Sequence, residues 1–131
     1  MPTKERWTKT PAAHDYPAAA DYLSLLADAA TVRAVVNSLR KQKVTTRKAK
    51  DLLRSSRLAL LPANDLEVLK DLGKVKRGEQ LSPVLLVRGS IADDRPLTVA
   101  DGYHRICASY HLDEDADIPC RLVDAPATLT T

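Results

Sequence analysis

Leu97-Thr98-Val99-Ala100-Asp101-Gly102-Tyr103-His104-Arg105 changes character halfway along. Leu97 to Ala100 is short, apolar and partly β-branched, which predicts a strand. From Tyr103 to His111 the spacing is helical, and Gly102 marks the corner between the two. A strand turning straight into a helix gathers the first N–H groups of that helix, which have no intrahelical partners, at one point. That point carries a partial positive charge. Gly102 has no Cβ, so a ligand oxygen can approach its backbone closely. His104 and Arg105 add side-chain donors, and no acidic residue occurs from Tyr103 to Tyr110. An anion, phosphate above all, is the ligand such a nest favours. Asp101 has two compatible readings. It is a candidate N-cap of the helix, and also a carboxylate suited to contact a metal or to accept a hydroxyl proton in phosphoryl transfer.

Working outward, Pro83-Val84-Leu85-Leu86-Val87-Arg88 is too short for a helix and predicts a buried strand. Residues 89–96 form a polar turn and residues 113–117 an acidic loop. Ile118-Pro119-Cys120-Arg121-Leu122-Val123 predicts a last strand, with Pro119 at its start or on a sheet edge.

Toward the N-terminus the period becomes helical. Leu66, Leu69, Leu72 and Val75 define a helix with Asn64 as its N-cap candidate and Gly78 at its end. Leu58 to Leu61, stopped by Pro62, predicts a short strand. Thr45 or Thr46 is expected to open a helix that turns Ala49, Leu52 and Leu53 inward. Asp28 or Thr31 caps another, with Val32, Val35, Val36 and Leu39 at i, i+3, i+4, i+7 spacing. Asp15 and Pro17 start the first helix, carrying Tyr22, Leu23 and Leu26. Residues 1–15 are a polar arm that Trp7 is expected to pin, and residues 124–131 lack periodicity and are expected to fray. The fold class is α+β: helices before residue 80, then a strand–strand–helix–strand unit.

The 131 residues suit one compact unit. No apolar run approaches the ~20 residues of a membrane helix, and the N-terminus lacks the apolar stretch of a signal peptide. Cys107 and Cys120 are too few for a disulfide framework. A cytoplasmic location, without membrane contact, is the expectation. The net charge of +3 hides an asymmetry. Residues 1–90 hold 17 Lys/Arg against 9 Asp/Glu, and residues 91–131 hold 3 against 8. Six positive charges fall between Arg40 and Lys50. Arg47, Lys48 and Lys50 are therefore candidates to track a nucleic-acid backbone, with a solvated basic connection as the plainer alternative. His104, Cys107 and His111 share a helix face, but His104 and His111 are two turns apart, roughly 10 Å. That is long for two ligands of one ion, so no metal site is expected, and Cys107 and Cys120 are read as core residues.

The segments around Pro83, the Asp101–Arg105 turn and the Ile118-Pro119 strand together resemble the ParB/sulfiredoxin superfamily. The resemblance spans roughly residues 48–124. It implies a polar arm and N-terminal helical extension over 1–45, and a ParB/sulfiredoxin-like domain over 46–131 with a small mixed sheet and packed helices. In that superfamily the loop matching Gly102 to Arg105 holds nucleotide phosphates. Sulfiredoxins carry Gly-Cys-His-Arg there, so Tyr103 stands where their catalytic cysteine would be. ParB-type partition proteins carry Gly-Glu-Arg-Arg, matched at Gly102 and Arg105. The Asp-Gly-x-His-Arg form is most similar to the free-serine-kinase branch, which makes Asp101 the catalytic candidate.

The resemblance thus implies a nucleotide (ATP, ADP or CTP, with or without Mg²⁺) bound by Gly102, Tyr103, His104 and Arg105. It adds Lys70 and Lys74, from the helix before Gly78, as further contacts. The activity it implies is that of an ATPase or small-molecule kinase, and turnover is less expected than binding. Two alternatives stay open: a non-enzymatic DNA-binding module, and a regulatory domain whose apolar stripes serve a partner or a homodimer.

Overall fold

A computed structural model describes residues 5–126. Residues 1–4 and 127–131 lie outside the described residues, including most of the C-terminal tail expected to fray. Along the chain run β1 (Arg6–Trp7), α1 (Asp15–Leu23), α2 (Ala29–Lys41), β2 (Thr45–Lys48), α3 (Ala49–Ser56) and α4 (Leu66–Lys76). These are followed by β3 (Gln80–Leu81), β4 (Val84–Val87), β5 (Thr98–Asp101), α5 (Tyr103–Leu112) and β6 (Asp117–Val123). The fold is α+β.

The main sheet has the order β2-β6-β4-β5. Strands β4 and β6 are parallel, whereas β2 pairs β6 and β5 pairs β4 antiparallel. All four residues of β4 are buried, because helices cover both faces of the sheet. This explains an unbroken Val-Leu-Leu-Val run where a one-sided strand would alternate. Val84, Leu86, Val99, Ile118 and Cys120 face a core completed by Leu52, Val68 and Ile106 from α3, α4 and α5. On the other face, Leu85, Val87, Ala100 and Val123 meet Tyr16, Leu23, Val35 and Leu39 from α1 and α2. The helical hairpin before residue 45 is thereby one of the two layers covering the sheet.

The N-terminal arm is tied down as Trp7 suggested. Arg6 and Trp7 pair in parallel with Gln80 and Leu81, Thr8 N donates to Leu81 O at 2.7 Å, and Trp7 packs on the core. Ser109 Oγ donates to Glu5 Oε2 at 2.5 Å, joining the arm to α5. Asp28 caps α2 as expected, accepting from Thr31 N at 2.8 Å.

Four expectations need correction. Thr45 and Thr46 open no helix: residues 45–48 form an edge strand on β6, and the helix starts at Ala49. Two adjacent β-branched residues suit a pleated ladder once β6 offers one. Leu58 to Leu61 forms no strand; its carbonyls serve side chains instead. Ala59 O accepts from Tyr103 Oη, and Leu61 O lies 2.7 Å from His111 Nε2. The N-cap of α4 is Asp65 rather than Asn64, its carboxylate accepting from Glu67 N and Val68 N at 3.1 Å. Finally, β6 is an interior strand. Pro119 is accommodated because the parallel ladder to β4 begins only at Cys120, so no bond is asked of the missing N–H there.

Candidate functional site

Strand β5 ends at Asp101 and α5 begins at Tyr103, with Gly102 between them in a left-handed conformation at φ 112°. Gly102 is the N-cap, and no side chain caps this helix. The cap role expected of Asp101 is therefore not filled; its carboxylate points to the Arg105 guanidinium, with Arg105 Nη2 2.6 Å from Asp101 Oδ2. The reason for a glycine at 102 also differs from a ligand's close approach. A Cβ there would lie 2.3 Å from Val84 Cγ1, so glycine is demanded by the helix–sheet packing and by the positive φ.

Around Arg105 the chain assembles a network that no local stretch of sequence announces. Arg105 Nη1 lies 3.4 Å from Asp15 Oδ2 and also donates to Ser82 Oγ. Ser82 Oγ donates in turn to Asp15 Oδ2 at 2.7 Å, and Ala12 N donates to the same oxygen at 2.9 Å. The Arg105 side chain is 12% exposed and that of Asp15 only 4%. Arg105 thus links α1, the β3–β4 connection and β5, and both its terminal nitrogens are committed to protein acceptors.

The two carboxyl groups on Arg105 are pushed apart in acidity. Burial raises Asp101 to about 6, against the pull of Arg105 and with added repulsion from Asp15. Burial also acts on Asp15, but the Ser82 hydroxyl, the Arg105 charge, the Ala12 amide and a hydrogen bond from Asp101 outweigh it, leaving Asp15 below the ordinary carboxylate range. The pair holds one proton readily and loses it near neutrality, with Asp101 the donor.

These groups open on a polar cleft of about 350 Å³ between the start of α5, α4 and the arm. Lys74, Asp71 and Glu67 of α4 line one wall; Asp15, Ser82, Asp101, Gly102, His104 and Arg105 line the other. Burial raises Asp71, partly offset by the charges of Lys74, Arg105 and His104. Four carboxyl groups face the cleft against Lys74 and Arg105 as permanent cations. An anion entering this cleft would need a proton on Asp101, or a cation arriving with it, to offset these carboxyl groups.

Asp101, Gly102, His104, Arg105 and Lys74 come together at this cleft. Tyr103 contributes its backbone to the turn, but its hydroxyl donates to Ala59 O and its ring packs on the core. Lys70 lies on the exposed part of α4, 3.9 Å from Glu67. Lys48 and Lys50 both reach Asp115, at 3.8 and 2.6 Å, and Arg47 stands apart from both at a different cleft. Asp15, Ser82 and Asp71 are the members that sequence reading missed. Asp15 has the ordinary look of a first-turn acid, and only its burial betrays another role. Among the described residues no group of three His, Cys, Asp or Glu is arranged to hold a metal ion, and no helix is long and apolar enough to cross a membrane. The molecule is thus an α+β domain with a carboxyl–guanidinium–carboxyl cluster at a strand-to-helix turn. No protein-family model, curated protein or solved structure matches the chain.

The Asp101 shift sets a stability profile. Its pKa is about 6 in the fold and about 3.9 unfolded, so between these values the folded state binds more protons. Stability attributable to Asp101 is highest below the unfolded value, declines as pH rises between the two, and levels off above about 6. Asp15, shifted downward, acts only below its ordinary range and leaves this window clear. Urea denaturation of the wild type should show this decline between about pH 4 and about pH 7, and Asp101→Asn should make it shallower, leaving the part due to Asp71 and Glu5, which burial also raises. An identical slope in both proteins contradicts the assignment.

Proposed function

We propose that this chain is a nucleotide-binding protein of the ParB/sulfiredoxin type, and that the cleft at Asp101–Arg105 holds the nucleotide's phosphates. The observation that carries this reading is the uncapped N-terminus of α5 meeting Lys74 and His104 at one polar cleft, beside a carboxyl group that titrates near 6. Helix N–H groups and Lys74 supply the positive potential for phosphate oxygens. Arg105 acts indirectly: engaged by Asp15, Asp101 and Ser82, it positions the turn instead of gripping the ligand.

The chemistry that suits Asp101 is phosphoryl transfer to a small hydroxyl compound. As the carboxylate, Asp101 accepts the hydroxyl proton; the oxygen bonds to the terminal phosphorus while the bond to the bridging oxygen breaks and a nucleoside diphosphate leaves. A group titrating near 6 is mostly ionised at neutral pH yet more basic than an ordinary carboxylate. A bound nucleotide adds negative charge beside three further carboxyl groups, so Mg²⁺ carried by the nucleotide is expected to strengthen binding.

Titration calorimetry with ATP, ADP and CTP, with and without Mg²⁺, tests the reading. Binding of at least one nucleotide is expected, weakened roughly 10- to 100-fold by Lys74→Ala, the range of one charge-assisted contact. Asp101→Asn should retain binding and lose turnover. No binding of any of the three sinks the proposal. A DNA-tracking role for Arg47, Lys48 and Lys50 is less well supported, since Asp115 neutralises part of that charge.

A further inference from the structure

A larger cleft lies elsewhere. It has a volume of about 840 Å³ and lies at the carboxyl ends of the parallel pair β4 and β6, between α3 and the loop 89–97. Among the described residues its cations are Arg47, Arg54, Arg57, Arg88 and Arg95. All five are arginine, although the chain has nine lysines to place. Its floor is aliphatic, from Leu52, Leu86, Leu97 and Leu122, and among the described residues no aromatic side chain lines it.

The walls are built rather than incidental. Arg57 and Asp94 are the two described non-glycine residues with positive φ, at 59° and 52°. They face each other, with Arg57 Nη2 2.5 Å from Asp94 Oδ1. Backbone strain of this kind persists only where surrounding structure enforces it, and it concentrates at functional sites. Leu97 N donates to Ser55 O at 3.0 Å, latching the loop to α3. Gly89 lets the loop double back, since a Cβ there would lie 2.3 Å from Arg95 O, and Ser90 and Arg95 close it through paired backbone bonds of 2.8 Å. The backbone contacts hold the loop that carries Arg95 against α3, beside Arg57 at its C-terminal end.

Arg54, Arg57 and Arg88 have acidic neighbours at the rim. Arg54 is 3.7 Å from Asp51, Arg57 meets Asp94, and Arg88 Nε is 2.7 Å from Asp124 Oδ1. Those carboxylates are all well exposed, so their pairs are weak and an entering anion can displace them. The guanidinium fork matches phosphate oxygens in pairs, which a lysine cannot do.

We infer that this arginine-lined cleft is a second binding site, for a soluble phosphate monoester with an aliphatic body. The phosphate is held by the arginine rim, and the carbon skeleton lies on the leucine floor. Small-molecule sites of this volume commonly combine an apolar lining with a few placed polar groups. A single-stranded nucleic acid fits less well, because stacking platforms for bases are aromatic.

Hexyl phosphate is the probe, titrated into the full chain by calorimetry, with inorganic phosphate and hexanol as partial ligands. Saturable binding of hexyl phosphate is expected, tighter than inorganic phosphate, with none to hexanol. Arg47→Ala and Arg54→Ala, both at exposed positions, should each weaken it about tenfold, whereas Lys74→Ala at the other cleft should not. Absence of binding, or equal binding by the arginine variants, overturns the proposal. Displacement of hexyl phosphate by polyuridylate with steep salt dependence would assign the cleft to nucleic acid and overturn it as well. Capture by phosphatidate vesicles, with no affinity for hexyl phosphate in solution, would assign a lipid headgroup and contradict a soluble ligand.

Discussion

Arg105→Ala is expected to lower folding stability by about 3–5 kcal/mol, the cost of removing one partner from a buried ionic cluster. Typical domains have only about 5–15 kcal/mol in total. The Arg105 side chain is 12% exposed and holds Asp15, Asp101 and Ser82 together. Without it Asp15, whose side chain is 4% exposed, keeps its neighbours Ser82 and Ala12 but loses the Arg105 charge. The carboxyl groups of Asp15 and Asp101 then respond by taking up protons. The loss should therefore be larger at pH 7 than near pH 4, where a proton replaces the missing cation. Urea denaturation at the two pH values measures both. A loss below about 1 kcal/mol, the scale of exposed ion pairs, would show that the cluster does not join α1 to the sheet.

Gly102→Ala should cost roughly 2–5 kcal/mol, combining about 1–2 for a left-handed backbone with about 1–3 for forcing a methyl into filled space. The methyl would meet Val84 Cγ1 at 2.3 Å, and Val84 lies in a strand buried on both faces. Gly78 separates the two contributions. It also has a positive φ, 77°, but a Cβ there meets nothing within 4 Å. Gly78→Ala should show only the conformational cost. Equal losses at the two positions would mean that the contact with Val84 is relieved by small shifts. A Val84→Ala background should recover part of the Gly102→Ala loss, because it removes the clashing methyl groups.

The strands and helices after residue 80 were legible because each has a period or a marker of its own. Val84 to Val87 is an unbroken apolar run, Gly102 marks a corner, and Asp28 is three residues before the amide it caps. Thr45 to Lys48 was not legible, since an exposed four-residue strand exists only because β6 offers a ladder. Leu58 to Leu61 misled in the opposite way: an apolar run whose carbonyls are taken by side chains from α5. At the site, Gly102, His104 and Arg105 were visible as a local motif, but what Arg105 does was not. The turn looked basic because no acid follows Gly102 before Asp113; Asp15, 90 residues from Arg105, supplies a second carboxylate in space. Likewise Gly102 has a sufficient explanation in Val84, a contact that only the fold creates.

The most direct test of the central claim, that the turn at Asp101–Arg105 receives nucleotide phosphates, is the amide spectrum of ¹⁵N-labelled protein during titration with Mg²⁺–ATP. Saturable shifts are predicted at Gly102, Tyr103 and His104, with Lys74 responding at the same ligand concentrations. A spectrum in which these amides stay fixed at saturating nucleotide would contradict the account, whether or not signals move around the arginine-lined cleft.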